Sequence, residues 1–189
     1  MIAQILRKMG NFSEKDVQLF ETKLVYRNLS KDEIALAEGA VCTSVFYNLS
    51  GVLYQFNYRE DNELNVIDLH LDQEWFLNAR SFFNQKPSDC CIKAYTDCEV
   101  FELSVFRLHE LIAASPAFLQ LGRVLEQATS RVHFFDNLMT PLQKYQYVLD
   151  QRPDLIQQFP LKIIAAYLKI TPETLSRVRD KLSKGKGRS

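Results

Sequence analysis

The chain has 189 residues, 47% of them hydrophobic, and its 23 Lys and Arg are balanced by 23 Asp and Glu. That length fits one large domain or two small ones with real apolar cores, and no apolar run approaches the length that crosses a bilayer. The first ten residues, MIAQILRKMG, lack the long apolar stretch and cleavage site of a secretory signal, so a soluble, cytoplasmic protein with no membrane partner is expected. The zero net charge hides an asymmetry: from Leu161 onward 8 Lys and Arg stand against 2 Asp and Glu, whereas the first 160 residues carry 15 against 21. An acidic body joined to a basic end suits contact with nucleic-acid phosphates.

Residues 1 to about 20 read as helical, with Ile2, Ile5, Leu6 and Met9 on one face and Ser13 capping a second piece that ends near Phe20. From Glu21 to about Leu103 the texture changes to short segments rich in β-branched and aromatic residues and bounded by Gly, Asn, Asp or Pro: LVYRNL, EIALAEG, SVFYNLSGVLYQFNY, ELNVIDLHL, CIKAY and CEVFEL. Repeated short strands at this spacing predict an antiparallel barrel or jelly roll, with a hairpin turn at Asn48 to Val52 around Gly51. Tyr54, Phe56 and Tyr58 alternate along one strand. They either pack as core on one sheet face or line a pocket for an aromatic or apolar ligand.

Cys42, Cys90, Cys91 and Cys98 read as free, mostly buried thiols. Adjacent Cys90 and Cys91 point to opposite faces of a strand and so do not serve one metal. His70, His109 and His133 have no metal-ligand spacing. No metal site or certain cofactor follows.

Val105 to Ala113 forms a short helix, and Ser115 followed by Pro116 marks the start of a long one, about 115–138. Phe118, Leu121, Leu125, Ala128, Val132 and Phe135 follow the 3–4 spacing of a coiled-coil seam, which favours a homodimer. The same residues also suit a helix packed on its own roll, since Val124 and Phe134 lie off the stripe. Thr140 and Pro141 cap the next helix, and Arg152 to Pro160 reads as a short connector.

Leu161 to Asp180, LKIIAAYLKITPETLSRVRD, then carries two amphipathic helices and a tight turn. Ile163, Ile164, Ala165 and Leu168 give the first an apolar face, and Leu175 and Val178 give one to the second. Thr171 is a good N-cap and Pro172 suits the first helical position. Small Ala165 allows a close helix crossing and Ile170 plugs the gap, as a helix-turn-helix requires. The residues left facing outward are Thr171, Glu173, Thr174, Ser176, Arg177 and Lys181, a set able to read base edges and bind phosphates on double-stranded DNA.

IAAYLKITPETLSR resembles the C-terminal helix-turn-helix of Crp/Fnr-type bacterial transcription regulators. The resemblance places the family's base-reading Glu, Ser and Arg on Glu173, Ser176 and Arg177. Lys169 departs from it, standing where such turns usually carry a Gly at positive φ, at a cost of about 1 kcal/mol. The family architecture implied is α+β. An N-terminal antiparallel β-roll, jelly-roll-like and of the cyclic-nucleotide-binding-domain fold, includes the long dimerisation helix in residues 1–138. An all-α helix-turn-helix domain follows in 139–189. The β-hairpin wing that family members often carry beside the recognition unit is reduced or absent, and Lys184, Lys186 and Arg188 form a basic tail. A two-fold dimer of this kind sets two recognition helices about 34 Å apart on a near-palindrome, with RNA polymerase as a further partner.

In cyclic-nucleotide binders of this fold a Gly-Glu pair and an Arg-Ser pair hold the phosphate and ribose. Anchored on IKAYTDCEV, the Arg-Ser positions fall on Ser88 and Asp89, and the Gly-Glu region is Leu77, Asn78 and Ala79. With Ser88 and Asp89 in the Arg-Ser pair the neutralising Arg is missing and an Asp in the pair repels the phosphate, which argues against cyclic AMP or GMP held in the usual way. Asn78, Arg80, Ser81, Ser88 and Asp89 remain the candidate ligand pocket, Arg80 being the nearby cation. An unidentified small-molecule effector stays open. Carried back from Thr140, the match puts Gln127 and Ala128 where cyclic-AMP receptors use a Thr-Ser pair on the base.

No enzyme signature such as GxSxG, a P-loop or HExxH occurs, so no catalytic residues are expected. Two readings follow. One is a dimeric transcription regulator whose roll senses a signal through a hinge around Asn137 to Thr140, or merely scaffolds the dimer. The other is a small-molecule-binding or protein-interaction module with a non-reading helix-turn-helix, favoured by Pro172, which stands where many relatives have a polar or basic contact residue.

Overall fold

In the computed structural model, which describes residues 1–124, 126 and 139–186, with side chains as far as Lys184, two short helices precede a β-roll. These are α1 (Ile2–Arg7) and α2 (Glu14–Lys23). The second starts where expected, at a capping box in which Ser13 and Asp16 bond each other's backbone amides. The roll consists of β1 (Val25–Leu29), β2 (Ile34–Leu36), β3 (Ser44–Ser50), β4 (Leu53–Tyr58), β5 (Leu64–His70), β6 (Trp75–Phe76), α3 (Ala79–Asn84), β7 (Cys91–Ala94) and β8 (Cys98–Ser104). It is closed by α4 (Val105–Ala114), which Ser104 caps by accepting from the Arg107 amide. The strands form two antiparallel four-stranded sheets, in the orders β1-β8-β3-β6 and β2-β7-β4-β5. β6 is two residues long, too short to show as an alternating segment in the sequence.

One expectation needs correction. Gly51 does sit in a turn, at φ +82°, but β3 and β4 do not pair across it, because they belong to different sheets. The turn is a corner between sheets. A Cβ on Gly51 would come 2.2 Å from the carbonyl oxygen of Asp97, so the corner packs directly on the β7–β8 turn.

The main core lies between the two sheets and under the N-terminal helices, with Phe20, Phe76 and Phe118 wholly buried. Phe118 packs its ring against Phe12 at 5.5 Å and Phe20 at 6.2 Å. The segment that carries it, Pro116–Leu121, is a 3-10 helix where the start of a long α-helix was expected. Phe118 and Leu121 are therefore spent on their own chain's core, which corrects the assignment of these two to a dimer seam. The remainder of that seam, Leu125, Ala128, Val132 and Phe135, lies outside the described residues, as do Gln127 and the hinge residues Asn137 and Leu138.

Beyond it come α5 (Pro141–Gln151), α6 (Asp154–Gln158), α7 (Leu161–Tyr167) and α8 (Pro172–Lys186). Thr140 and Pro141 start α5 as expected, with a capping box to Gln143. The connector from Arg152 to Pro160 proves to contain the short helix α6. A second apolar cluster joins these helices to the roll: Val52, Val66, Leu69 and Leu71 pack with Val148, Leu155, Ile164 and Leu168. Tyr54 and Phe56 stack at 4.6 Å along the same sheet, Phe56 meets Tyr58 edge-on at 5.8 Å, and Tyr95 meets Phe159 at 5.3 Å across the junction. Phe56 is buried and Tyr54 half-buried, as the packing reading expects, whereas Tyr58 is exposed.

Arg152 crosses that junction. Its guanidinium donates to both carboxylate oxygens of Glu74 at 2.9 Å and to the Leu69 carbonyl at 2.7 Å, and it lies 3.5 Å from Asp68. Those two carboxylates hold it firmly charged although it is largely buried. Among the described residues no helix is long and apolar enough to cross a membrane.

Candidate nucleic-acid interface

The turn between α7 and α8 is built by the backbone. Ile170 N–H donates to the Ala165 carbonyl at 3.1 Å and Lys169 N–H to the Ala166 carbonyl at 3.3 Å, with Lys169 itself at φ +58°. This is the Schellman helix end, in which the residue after the cap takes the left-handed conformation. Lys169 thus occupies the glycine-like conformation expected at its position. Ile163, Ile164, Ala165 and Leu168 are all buried, as is Leu175 of α8, and all five belong to one apolar cluster.

Thr171 caps α8 by accepting from the Thr174 amide at 3.2 Å, leaving Pro172 at the first helical position. Glu173, Ser176, Arg177 and Lys181 are exposed, together with Thr171, and Thr174 is half-buried. Arg177 lies back along the helix, its guanidinium reaching the Glu173 carbonyl and the Thr174 hydroxyl, each at 3.4 Å. The backbone amide of Glu173 and the Thr171 hydroxyl hold the Glu173 carboxyl below its ordinary range, so it is an acceptor at neutral pH. One surface thus presents a carboxylate acceptor, two hydroxyls and a guanidinium, the complement of base edges in a major groove. Lys184 belongs to α8 and not to a loose tail, and the backbone helix continues to Lys186. Arg188 lies outside the described residues.

The second candidate site, around α3, is occupied by its own side chains. Asn78 caps α3 by accepting from the Ser81 amide at 3.1 Å, and its amide group donates to Ser88 Oγ at 2.8 Å and to Cys90 Sγ at 3.1 Å. Asn78, Ser81 and Ser88 are buried and satisfied there. On the surface Arg80 and Asp89 form an ion pair at 3.1 Å. The cavity between them holds about 180 Å³ and has a second cation on its rim, Lys86, which the sequence reading overlooked beside Arg80. Burial pushes the thiols of Cys42, Cys90 and Cys98 up, so all three are neutral at physiological pH. No grouping of three or more His, Cys, Asp or Glu able to hold a metal occurs among the described residues.

Two residues that bear on this interface carried no sequence signal. Arg152 looked like a connector residue. Lys169 looked like a mild backbone misfit, yet its ammonium reaches β5, donating to Asn65 Oδ1 at 2.6 Å and to the Val66 carbonyl.

No protein-family model matches the chain, and no curated protein matches it either. Solved structures do. FixK2 from Bradyrhizobium japonicum aligns with a TM-score of 0.73 at 16% identity, over 86% of this chain and 85% of that one. The c-di-GMP responsive global regulator CLP of Xanthomonas campestris aligns with a TM-score of 0.60 at 19% identity, over 92% and 93%. A CooA variant from Carboxydothermus hydrogenoformans gives 0.66 at 17% identity, over 92% and 82%. The chain therefore has the fold of Crp/Fnr-type regulators, an α+β roll with a helical C-terminal part.

Proposed function

We propose that this chain is a sequence-specific DNA-binding transcription regulator of the Crp/Fnr type, working as a two-fold dimer alongside RNA polymerase and having no catalytic role. The observation that carries the reading is the supported, outward face of α8. Glu173, Ser176 and Arg177 stand exposed on a helix whose other side is anchored by Leu175 and whose N-terminus is capped by Thr171. A helix held on one side and polar on the other is what insertion into a major groove needs. The basic charge collected from Leu161 onward supplies the phosphate attraction.

We further propose that the roll has lost the cyclic-nucleotide phosphate cassette. Asp89 already neutralises Arg80, Asn78 and Ser88 are consumed by each other and by Cys90, and the remaining cavity of about 180 Å³ is below the roughly 300 Å³ at which small-molecule sites begin. Any small-molecule effector would use other contacts.

Selection of duplexes from a random pool by the purified protein, at near-physiological salt, tests the reading. Enrichment of a near-palindrome with half-sites about one helical turn apart is expected. Recovery of random sequence alone, both with and without cell extract, would refute it.

A further inference from the structure

We propose that the docked helix-turn-helix is a closed state of the reader, held by a clasp between Lys169 and the edge of β5, and that DNA phosphate opens it by taking the same ammonium. The inference rests on the DNA-reading function proposed above.

Lys169 lies in the turn, two residues before the cap of α8, at the end of the helix that a duplex must approach. Its ammonium is turned inward, toward Asn65 Oδ1 and the Val66 carbonyl on the outermost strand of its sheet. Both partners are uncharged. Among the described residues no carboxylate pairs with Lys169, and the charges that act on it, Arg59 and Lys144, are cations. Lys169 is exposed as a whole residue, but its ammonium end is partly covered at the Val66 carbonyl; that loss of water, with the two cations second, lowers its pKa to about 8. The clasp therefore holds a cation where a cation is disfavoured, whereas a phosphate would offer it a full counter-charge.

The strand that receives Lys169 begins at the β4–β5 turn. That turn is closed by bonds between Arg59 and Glu63 and between Asn62 and Arg59, and it carries exposed Glu60, Asp61 and Glu63. These three exposed carboxylates lie in the turn that leads into the strand gripped by Lys169, and Arg59 of the same turn acts on the ammonium. The docked state thus withholds a cation from DNA.

The other fastening differs in kind. Arg152 is satisfied by two carboxylates and a carbonyl in a largely buried site. Opening that end would strand charges in the interior, so the Lys169 end gives way while the Arg152 end stays as the pivot.

Lys169→Gly is the discriminating variant. Glycine suits φ +58°, so the turn is preserved while the clasp is lost. Removing a cation from a DNA-binding surface ordinarily weakens binding, but release of a closed state raises affinity, here by about 5-fold or more on the selected duplex. Because the variant also lacks the phosphate contact, a shallower salt dependence is expected either way; weaker binding would overturn the proposal, since the clasp would then restrain nothing and Lys169 would serve only as a phosphate contact of a reader already open. Titration of the Lys169 ε-methylene by NMR in the DNA-free wild type supplies the second readout. A midpoint well below that of the other lysines, returning to the ordinary range with bound duplex, is expected. An ordinary midpoint without DNA means that there is no clasp, and overturns the proposal whatever the DNA result. If Lys169 titrates low while neither wild type nor variant binds any duplex, the DNA-reading function fails and the contact inhibits nothing.

Discussion

Arg152 and Glu74, 78 positions apart in the chain, meet in a two-toothed ion pair with both Nη2···O distances at 2.9 Å. The pair joins the end of α5 to the strand-linking segment ahead of β6, and Asp68 and the Leu69 carbonyl complete the guanidinium's shell. Truncating Arg152 leaves two carboxylates facing each other in a poorly hydrated junction. Arg152→Met should therefore cost about 3 kcal/mol in urea unfolding, followed through the fluorescence of the single tryptophan, Trp75. A Glu74→Gln change, which keeps the shape and one acceptor, should cost less. A loss below about 1 kcal/mol for Arg152→Met would mean that the pair is solvated like a surface bridge.

The Lys169 contact gives stability a pH dependence whose sign follows from the direction of its shift. Loss of water around the docked ammonium, and then the nearby Arg59 and Lys144, lower the pKa from 10.5 to about 8, so between those pH values the unfolded chain holds a proton that the native chain has released. Stability contributed by this group rises with pH across that window and is flat below it, where both states are protonated. The quantity to measure is the difference in unfolding midpoint between wild type and Lys169→Gly from pH 7 to pH 10.5. It should shift in favour of the wild type as pH rises, and a difference that does not change would show an ordinary surface lysine.

Gly39 and Gly51, both left-handed, should respond unequally to alanine. Both Gly39 and Gly51 have φ +82°, but a Cβ on Gly39 meets nothing within 4 Å, whereas one on Gly51 runs into the Asp97 carbonyl at 2.2 Å. Gly39→Ala should cost about 1 kcal/mol from backbone strain alone. Gly51→Ala should cost distinctly more, because the corner between the sheets must move off the β7–β8 turn. Thermal melts of the two variants side by side decide it, and equal losses would mean that the corner relaxes freely.

The pattern of what could be read ahead of the structure follows interaction range. Seven of the eight strands showed as alternating apolar segments, and the capping boxes at Ser13 and Thr140 are local signals four residues long. The left-handed turn at Lys169 was legible for the same reason, since its neighbours Ala165 and Thr171 fix where the helices end. The pairing of Arg152 with Glu74 and of Lys169 with Asn65 spans 78 and 104 positions, and nothing in the composition of either segment announces a partner. The Pro116–Leu121 stretch misled because heptad spacing is equally a core pattern. Phe118 and Leu121 fit a dimer seam in the sequence, yet fill the pocket left between Phe20 and α4.

Cyclic AMP or GMP should leave the melting temperature unchanged up to millimolar concentration. A ligand bound at 100 times its Kd would add about 2.7 kcal/mol, easily seen. The Arg80–Asp89 pair at 3.1 Å is the reason for expecting no shift, because a phosphate would have to displace a carboxylate already seated on the cation. Removing that carboxylate with Asp89→Ser should not by itself create a site, since Asn78 and Ser88 stay bonded to each other. A clear shift with the wild type would restore the roll as a nucleotide sensor.

Arg177 rests on the Glu173 carbonyl and the Thr174 hydroxyl through bonds of 3.4 Å, long enough to be exchanged readily for a base edge. A guanidinium forking onto guanine discriminates among bases, whereas a phosphate contact does not. Arg177→Ala should therefore cost about 1–3 kcal/mol on the selected duplex and clearly less on a random one. Lys181→Ala, one turn further along the exposed face, should weaken both duplexes alike and reduce the slope of affinity with salt by about one ion. Titrations of both variants against both duplexes at two salt concentrations separate the roles. An equal loss on the two duplexes for Arg177→Ala would assign that side chain to the phosphate backbone and move base reading to Glu173 and Ser176.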